Sequence, residues 1–231
     1  MKNIEYTKMA YLYDRFYANK DYSKEVEFIK SFIENKDYKI LDAGCGTGNH
    51  AKQLFDFGYD IFGFDQSQDM VDIANEKIEN RFFVGDILNV SCKEKYGLII
   101  SFFAVFNHLK NYKEFKKALL NLKSMIKDGG TIIIDLHNPQ KNGKKTETVQ
   151  TATRIMRWKK CELLKKEFTN ITYILDGEKF QTKHTFKIFD MVRLKKIARK
   201  VGFSATHFYE NYDMTKPASK ESKNIQMVLS L

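Results

Sequence analysis

Three glycines at alternate positions, Gly44, Gly46 and Gly48, follow closely on the apolar pair Ile40-Leu41. At this spacing a loop can turn through positive φ and approach a ligand closely, where side chains would collide. A carboxylate, Asp65, follows 17 residues after Gly48, and a second sits in Gly85-Asp86-Ile87. An acid at the end of the next strand can accept hydrogen bonds from both hydroxyls of a ribose. Farther on, Asn107-His108 is the polar pair able to orient a nucleophile or take its proton. One use of the glycine loop is excluded. A dinucleotide fingerprint needs a last glycine to seat a pyrophosphate on the helix, and that position holds Asn49.

These residues need elements to position them. Ile40-Leu41 reads as the end of a buried parallel strand. Ala51, Leu54 and Phe55 then mark one helix face, and Gly58 a helix stop. Further strands are expected over 60–65, 81–84, 97–103 and 131–135. Helices are expected over 21–35, with Val26, Ile29 and Ile33 inward, and after Ser67, with Met70, Ile73, Ala74 and Ile78 inward. A helix over 113–127 carries Phe115, Leu119, Leu122 and Met125, and Tyr6, Tyr11, Tyr13 and Tyr17 crowd the first twenty residues. This rhythm predicts an α/β fold with one doubly wound, mostly parallel, seven-stranded sheet. After a polar turn at 142–145 the period becomes two, and Asp176-Gly177 can close a hairpin, so an antiparallel β-meander of about three strands is inserted after the fifth strand. A helix capped by Asp190 and strands over 203–210 and 224–231 complete the chain.

The 231 residues suffice for one well-buried domain with an elaboration, and 43% hydrophobic residues with only 2 prolines indicate a globular chain. No apolar run is long enough to span a bilayer, and residues 1–8 lack the apolar core of a signal peptide. Cys45, Cys92 and Cys161 have no metal-ligand spacing and suit reduced thiols, so no metal and a cytoplasmic location are expected. The formal charge of +10 is compatible with nucleic acid, an anionic membrane surface or an acidic small substrate. The lysines spread along almost every helix without a dense run or nucleic-acid motif. A small anionic acceptor is therefore expected rather than a nucleic acid.

The stretch Leu41-Asp-Ala-Gly-Cys-Gly-Thr-Gly48 resembles motif I of the class I S-adenosylmethionine-dependent methyltransferases. The resemblance implies a Rossmann-like fold and S-adenosyl-L-methionine as cofactor. Its methionine part would be wrapped by Asp42, Ala43, Gly44, Cys45, Gly46, Gly48, Asn49 and His50, its ribose held by Asp65 beside Gln66. Asp86 would accept from the adenine amino group beside Gly85, with Met70 and Ile87 as purine walls. Ser101 and Phe102 would close the edge from the fourth strand. That edge faces the transferable methyl, and the absence of proline before Pro139 argues against the Asn/Asp-Pro-Pro-aromatic motif of base N-methylation. Tyr13-Asp-Arg-Phe-Tyr17, Lys20-Asp-Tyr22, the meander and residues 189–203 are similar to the nucleotide-deoxyaminosugar N,N-dimethyltransferases. That likeness implies that Tyr13 and Tyr22 cover the cofactor, and that the inserted sheet roofs the substrate or builds a homodimer. His108, Asn107 and Tyr13 are then the catalytic candidates, and Tyr17, Asn107, His108, Arg154 and Arg157 the substrate contacts. The expected division is 1–36 as a cover, 37–141 with 190–231 as the cofactor domain, and 142–189 as the insert. The expected activity is methylation of the amine of a phosphate-linked sugar or polyol, in surface-polysaccharide or secondary metabolism. O-methylation, an amino-acid or similar acceptor, and a non-catalytic accessory subunit are the alternatives.

Overall fold

A computed structural model describes residues 4–139 and 141–231. Residues 1–3, Gln140 and the side chains of residues 4–8, Tyr6 among them, lie outside the described residues. The strands β1 (Ile40–Ala43), β2 (Ile61–Asp65), β3 (Phe82–Val84), β4 (Tyr96–Ser101) and β5 (Ile126–His137) pair in parallel in the order β3-β2-β1-β4-β5. Beyond β5, the two final strands that the sequence predicts, β12 (Asn224–Ser230) and β10 (Ala205–Glu210), add antiparallel. A short eighth strand, β11 (Asp213–Pro217), turns back on β10 at the edge.

β1 and β4 are buried along their whole length because helices cover both faces. On one face α5 (Tyr112–Met125) and α6 (Met191–Val201) pack Phe115, Leu119, Leu122, Leu194 and Ala198 against Ile132 and Ile134. On the other, α2 (Ser23–Lys30), α3 (Asn49–Asp56) and α4 (Gln68–Lys77) pack Val26, Ile29, Leu54 and Val71 against Ile100 and Ile133. Helix α2 stops short of the expected 35, leaving Ile33 half-buried. The hydroxyl of Ser31 donates back to the Phe28 carbonyl at 2.7 Å, and the Asn35 side chain accepts from the Asp37 amide at 2.9 Å, alternatives that compete with helix continuation.

The insert forms a separate sheet of four strands rather than three: β6 (Gly143–Val149), β7 (Ala152–Cys161), β8 (Lys166–Leu175) and β9 (Glu178–Lys187), paired antiparallel in that order. The extra strand covers residues expected to form a polar turn. Gly143 lies opposite Trp158, and a Cβ there would stand 2.2 Å from the indole. The glycine thus lets a tryptophan lie across the strand rather than marking a loop. The hairpin at Asp176-Gly177 has positive φ at both residues, as a two-residue turn of this kind requires. The inner face, carrying Ala152, Tyr173 and Phe180, packs on Met9, Leu12 and Phe16 of α1 (Ile4–Tyr17).

Candidate active site

The carboxyl ends of β1, β2 and β4 converge under α1. Gly44, Gly46 and Gly48 all have positive φ. A Cβ on Gly44 would strike Val105 at 2.7 Å, whereas one on Gly46 would meet nothing within 4 Å. Gly44 is therefore a packing glycine, and Gly46 opens the loop to free space. The Gly46 amide donates to Asp65 at 3.0 Å and the Ser67 amide to the other carboxylate oxygen at 2.9 Å, which aims the acid at the loop. Burial raises the Asp65 pKa, and its backbone donors pull the other way. Asp42, at the end of β1, is buried, and desolvation with the nearby Asp65 charge pushes it up to about 8.

Helix α1 is latched onto this loop. Asp14 accepts from the Thr47 hydroxyl at 2.7 Å, from Asn49 at 3.2 Å and from the Lys77 ammonium at 2.5 Å, while Lys77 also donates to Asn49 at 2.6 Å. Asp14, Thr47 and Lys77 are absent from the sequence-level candidates. The signal available was the Asp within Tyr13-Asp-Arg-Phe-Tyr17. The rings of Tyr13 and Tyr17 lie tilted against each other at 4.6 Å, Tyr17 meets Phe103 at 5.2 Å, and Tyr22 meets His50 at 4.9 Å. Burial holds the Tyr13 and Tyr22 phenols well above their ordinary pKa. Both hydroxyls are therefore held in the protonated form at ordinary pH. His50 is enclosed by Tyr22, Phe102 and Phe103, and burial drops it to about 3. Its Nε2 is buried without a hydrogen-bond partner among the described residues.

Several other candidates have different work. The Ser101 hydroxyl is buried and donates to the Ala43 carbonyl at 2.7 Å, pinning β4 to β1. Phe102 is a core residue stacked on Tyr212. Asn107 is buried with its amide donating to the His137 and Lys187 carbonyls at 2.9 and 2.7 Å and its oxygen accepting from the His137 amide at 2.9 Å. Both of its amide hydrogens are spent joining β5 to β9, which makes it a structural tie between the two sheets. His108 is exposed beside Phe186 and His184, and their cover holds its imidazole below the ordinary range. Arg154 and Arg157, three apart on a strand of period two, lie on opposite faces. Arg154 is buried, its guanidinium spread over Phe16 and Tyr17 at 4.6 and 4.7 Å and bonded to Glu147. It clasps α1 instead of awaiting an anion, and Arg157 is exposed on the far side.

Asp86 follows β3, its oxygens accepting from the Leu88 amide at 2.9 Å and Asn89 at 3.3 Å. Half-buried Met70, Gly85 and Ile87 lie near this end of the sheet, and Gln66 is exposed. Cys45 is buried, and burial pushes its thiol up. A pair that sequence reasoning missed comes together across the two sheets. Glu167, buried on β8, lies 3.1 Å from His137 Nε2 at the end of β5 and accepts from Thr169 at 2.6 Å. Burial works against its charge, but these two partners hold its pKa below the ordinary value.

Residues 40–130, the loop and its flanking strands, match the family described as a methyltransferase domain. The chain carries a methyltransferase domain. An uncharacterized protein of Methanocaldococcus jannaschii is 30% identical to this methyltransferase over 221 residues, 93% of this chain and 81% of that one. The dTDP-3-amino-3,4,6-trideoxy-alpha-D-glucopyranose N,N-dimethyltransferase of Streptomyces venezuelae is 27% identical over 133 residues, 54% of this chain and 56% of that enzyme. A crystal structure of an S-adenosylmethionine-dependent methyltransferase from Clostridium acetobutylicum superposes with a TM-score of 0.82 at 22% identity, covering 98% of each chain.

Proposed function

We propose that the protein methylates the amine of a small polar molecule, a nucleotide-linked aminosugar being the class that the dTDP-aminosugar dimethyltransferase relative supports. The observation that carries this reading is the Glu167–His137 pair, which the roofing sheet brings to the carboxyl edge of β5. S-adenosylmethionine, when bound, supplies a methyl group already activated on a sulfonium. The chain's task is then positioning and exclusion of water. The open face of Gly46, the oriented Asp65 and the unpartnered Nε2 of His50 fit a cofactor seated on the loop. Asp65 would hold the ribose and Asp86 the adenine between Met70 and Ile87. The phenols of Tyr13 and Tyr17 on α1 and of Tyr22 at the start of α2 would cover the reacting centre.

Glu167 fixes His137 through Nε2 and leaves Nδ1 to accept the proton that an amine must lose. On the inner face Lys145 and Arg154 are paired with Glu147 and Lys160 with Glu162, so a phosphate there would have to compete with these carboxylates. A homodimer through the second sheet remains part of this proposal. The test is methyl transfer from labelled cofactor to nucleotide-linked aminosugars and to the matching sugars with hydroxyl in place of amine. Labelling of the amine alone, with Glu167→Gln lowering kcat and sparing cofactor affinity, is the expected result. Transfer to hydroxyls alone overturns it.

A further inference from the structure

The net charge of the chain is not spread evenly. Residues 141–200 hold 17 lysines and arginines against 6 aspartates and glutamates, and the rest of the chain holds 22 against 23. The whole positive excess therefore lies in the inserted sheet and α6. Within the sheet it is sorted by face. The strand register puts Glu147, Glu167 and Glu178 on the face that carries Arg154, Tyr173 and Phe180, toward the main domain. The opposite face carries seven cations, among them Arg157, Lys159, Lys166, Lys183 and Lys187, and no acid. None of the seven forms an ion pair among the described residues. The charge continues onto the main domain. Lys187 is held below its ordinary pKa by burial and by the nearby charges of Lys166, Arg193 and Lys165. Beyond Arg193 a cleft of about 360 Å³ between α5 and α6 is lined by Lys113, Lys116, Lys196 and Lys200 around Tyr112.

At the corner of this surface the β7–β8 turn projects two leucines. Leu163 is 92% exposed and Leu164 51%, and Phe168 on the cationic face is 38% exposed. Lys160 and Lys165 flank them, sharing Glu162. Apolar tips ringed by cations match one kind of occupant. We propose that this face docks on an anionic lipid bilayer, with Leu163 and Leu164 entering the headgroup boundary and the lysines meeting lipid phosphates. Peripheral binding of this kind combines buried apolar side chains with attraction to anionic lipid and weakens with salt. A polynucleotide would use the cations but leave both leucines in water. A second copy of the chain, face to face, would set seven cations against seven.

The test is flotation of the full chain with vesicles of phosphatidylcholine mixed with phosphatidylglycerol, against pure phosphatidylcholine, at low and high salt. Binding to the anionic vesicles, at least tenfold weaker in pure phosphatidylcholine and lost in high salt, is expected. The pair Leu163→Ser and Leu164→Ser, and separately Lys165→Glu with Lys166→Glu, should each reduce binding several-fold while methyl transfer to a soluble acceptor is unchanged. Leu163→Trp should show a blue-shifted emission on addition of the anionic vesicles, a direct readout of burial. Absence of flotation overturns the proposal. So does flotation indifferent to the leucine substitutions, or an emission from Leu163→Trp that does not move. Tighter binding of a single-stranded RNA than of the vesicles, unaffected by the leucine changes, would overturn it in favour of a polynucleotide surface.

Discussion

Asp65 accepts from the amides of Gly46 and Ser67, so its carboxylate is oriented before any ligand arrives. Asp65→Ala is expected to weaken cofactor binding by about 2–3 kcal/mol, the scale of hydrogen bonds to a charged acceptor, as read by calorimetry. An unchanged affinity would remove Asp65 from the site. Asp42 supplies a prediction in pH. Its folded pKa of about 8 lies above the ordinary value of 3.8, so the folded state holds a proton that the unfolded chain releases. Stability of the cofactor-free protein must then fall as pH rises from about 4 to about 8. Asp42→Asn should flatten that slope and stabilise the protein at pH 8 on the order of a few kcal/mol, measured by denaturant unfolding at a series of pH values. A slope equal to that of the parent would contradict the assignment. The glycine spacing and Asp65 were legible because loop geometry is local. The spent amide hydrogens of Asn107 were not, since its partners lie on β5 and β9, 30 and 80 residues away.

At the scale of elements, α1 is held from two sides. Asp14 ties it to the glycine loop through Thr47, Asn49 and Lys77, and Arg154 stacks on Phe16 and Tyr17 from the inserted sheet. Asp14→Ala should speed cofactor dissociation in stopped-flow measurements about tenfold with little change in association, since the latch acts after encounter. Equal dissociation rates would show that the helix does not close the site. Arg154→Ala should cost about 1–3 kcal/mol in stability by removing the buried guanidinium from over Phe16 and Tyr17, Glu147 keeping Lys145 as a partner. The main sheet and its helices were readable from apolar periodicity and caps, Asp190 and Ser67 included. The first strand of the insert was not. Lys144, Lys145 and Thr146 look like loop, and only their pairing with Arg157, Met156 and Ile155 makes them a strand.

For the molecule as a whole, the formal charge of +10 understates an asymmetry that appears only when strand register sorts the acids from the cations. A dimer through the second sheet would have to use the open edge of β6 or β9. Light scattering at low and high salt checks this, with a two-chain mass at both ionic strengths as the expected outcome. A mass that doubles only in high salt would mean that the cationic faces meet. The clasp on α1 reaches further still. One helix is gripped by the loop that would carry the cofactor and by the sheet that would roof the acceptor, so a motion that frees either also loosens the other. Spent cofactor and methylated product should therefore depart in a shared opening rather than by separate doors. If two methyl groups are added to one amine, the once-methylated compound should build up free in solution early in the time course and chase into the doubly methylated form only after unreacted acceptor has run low.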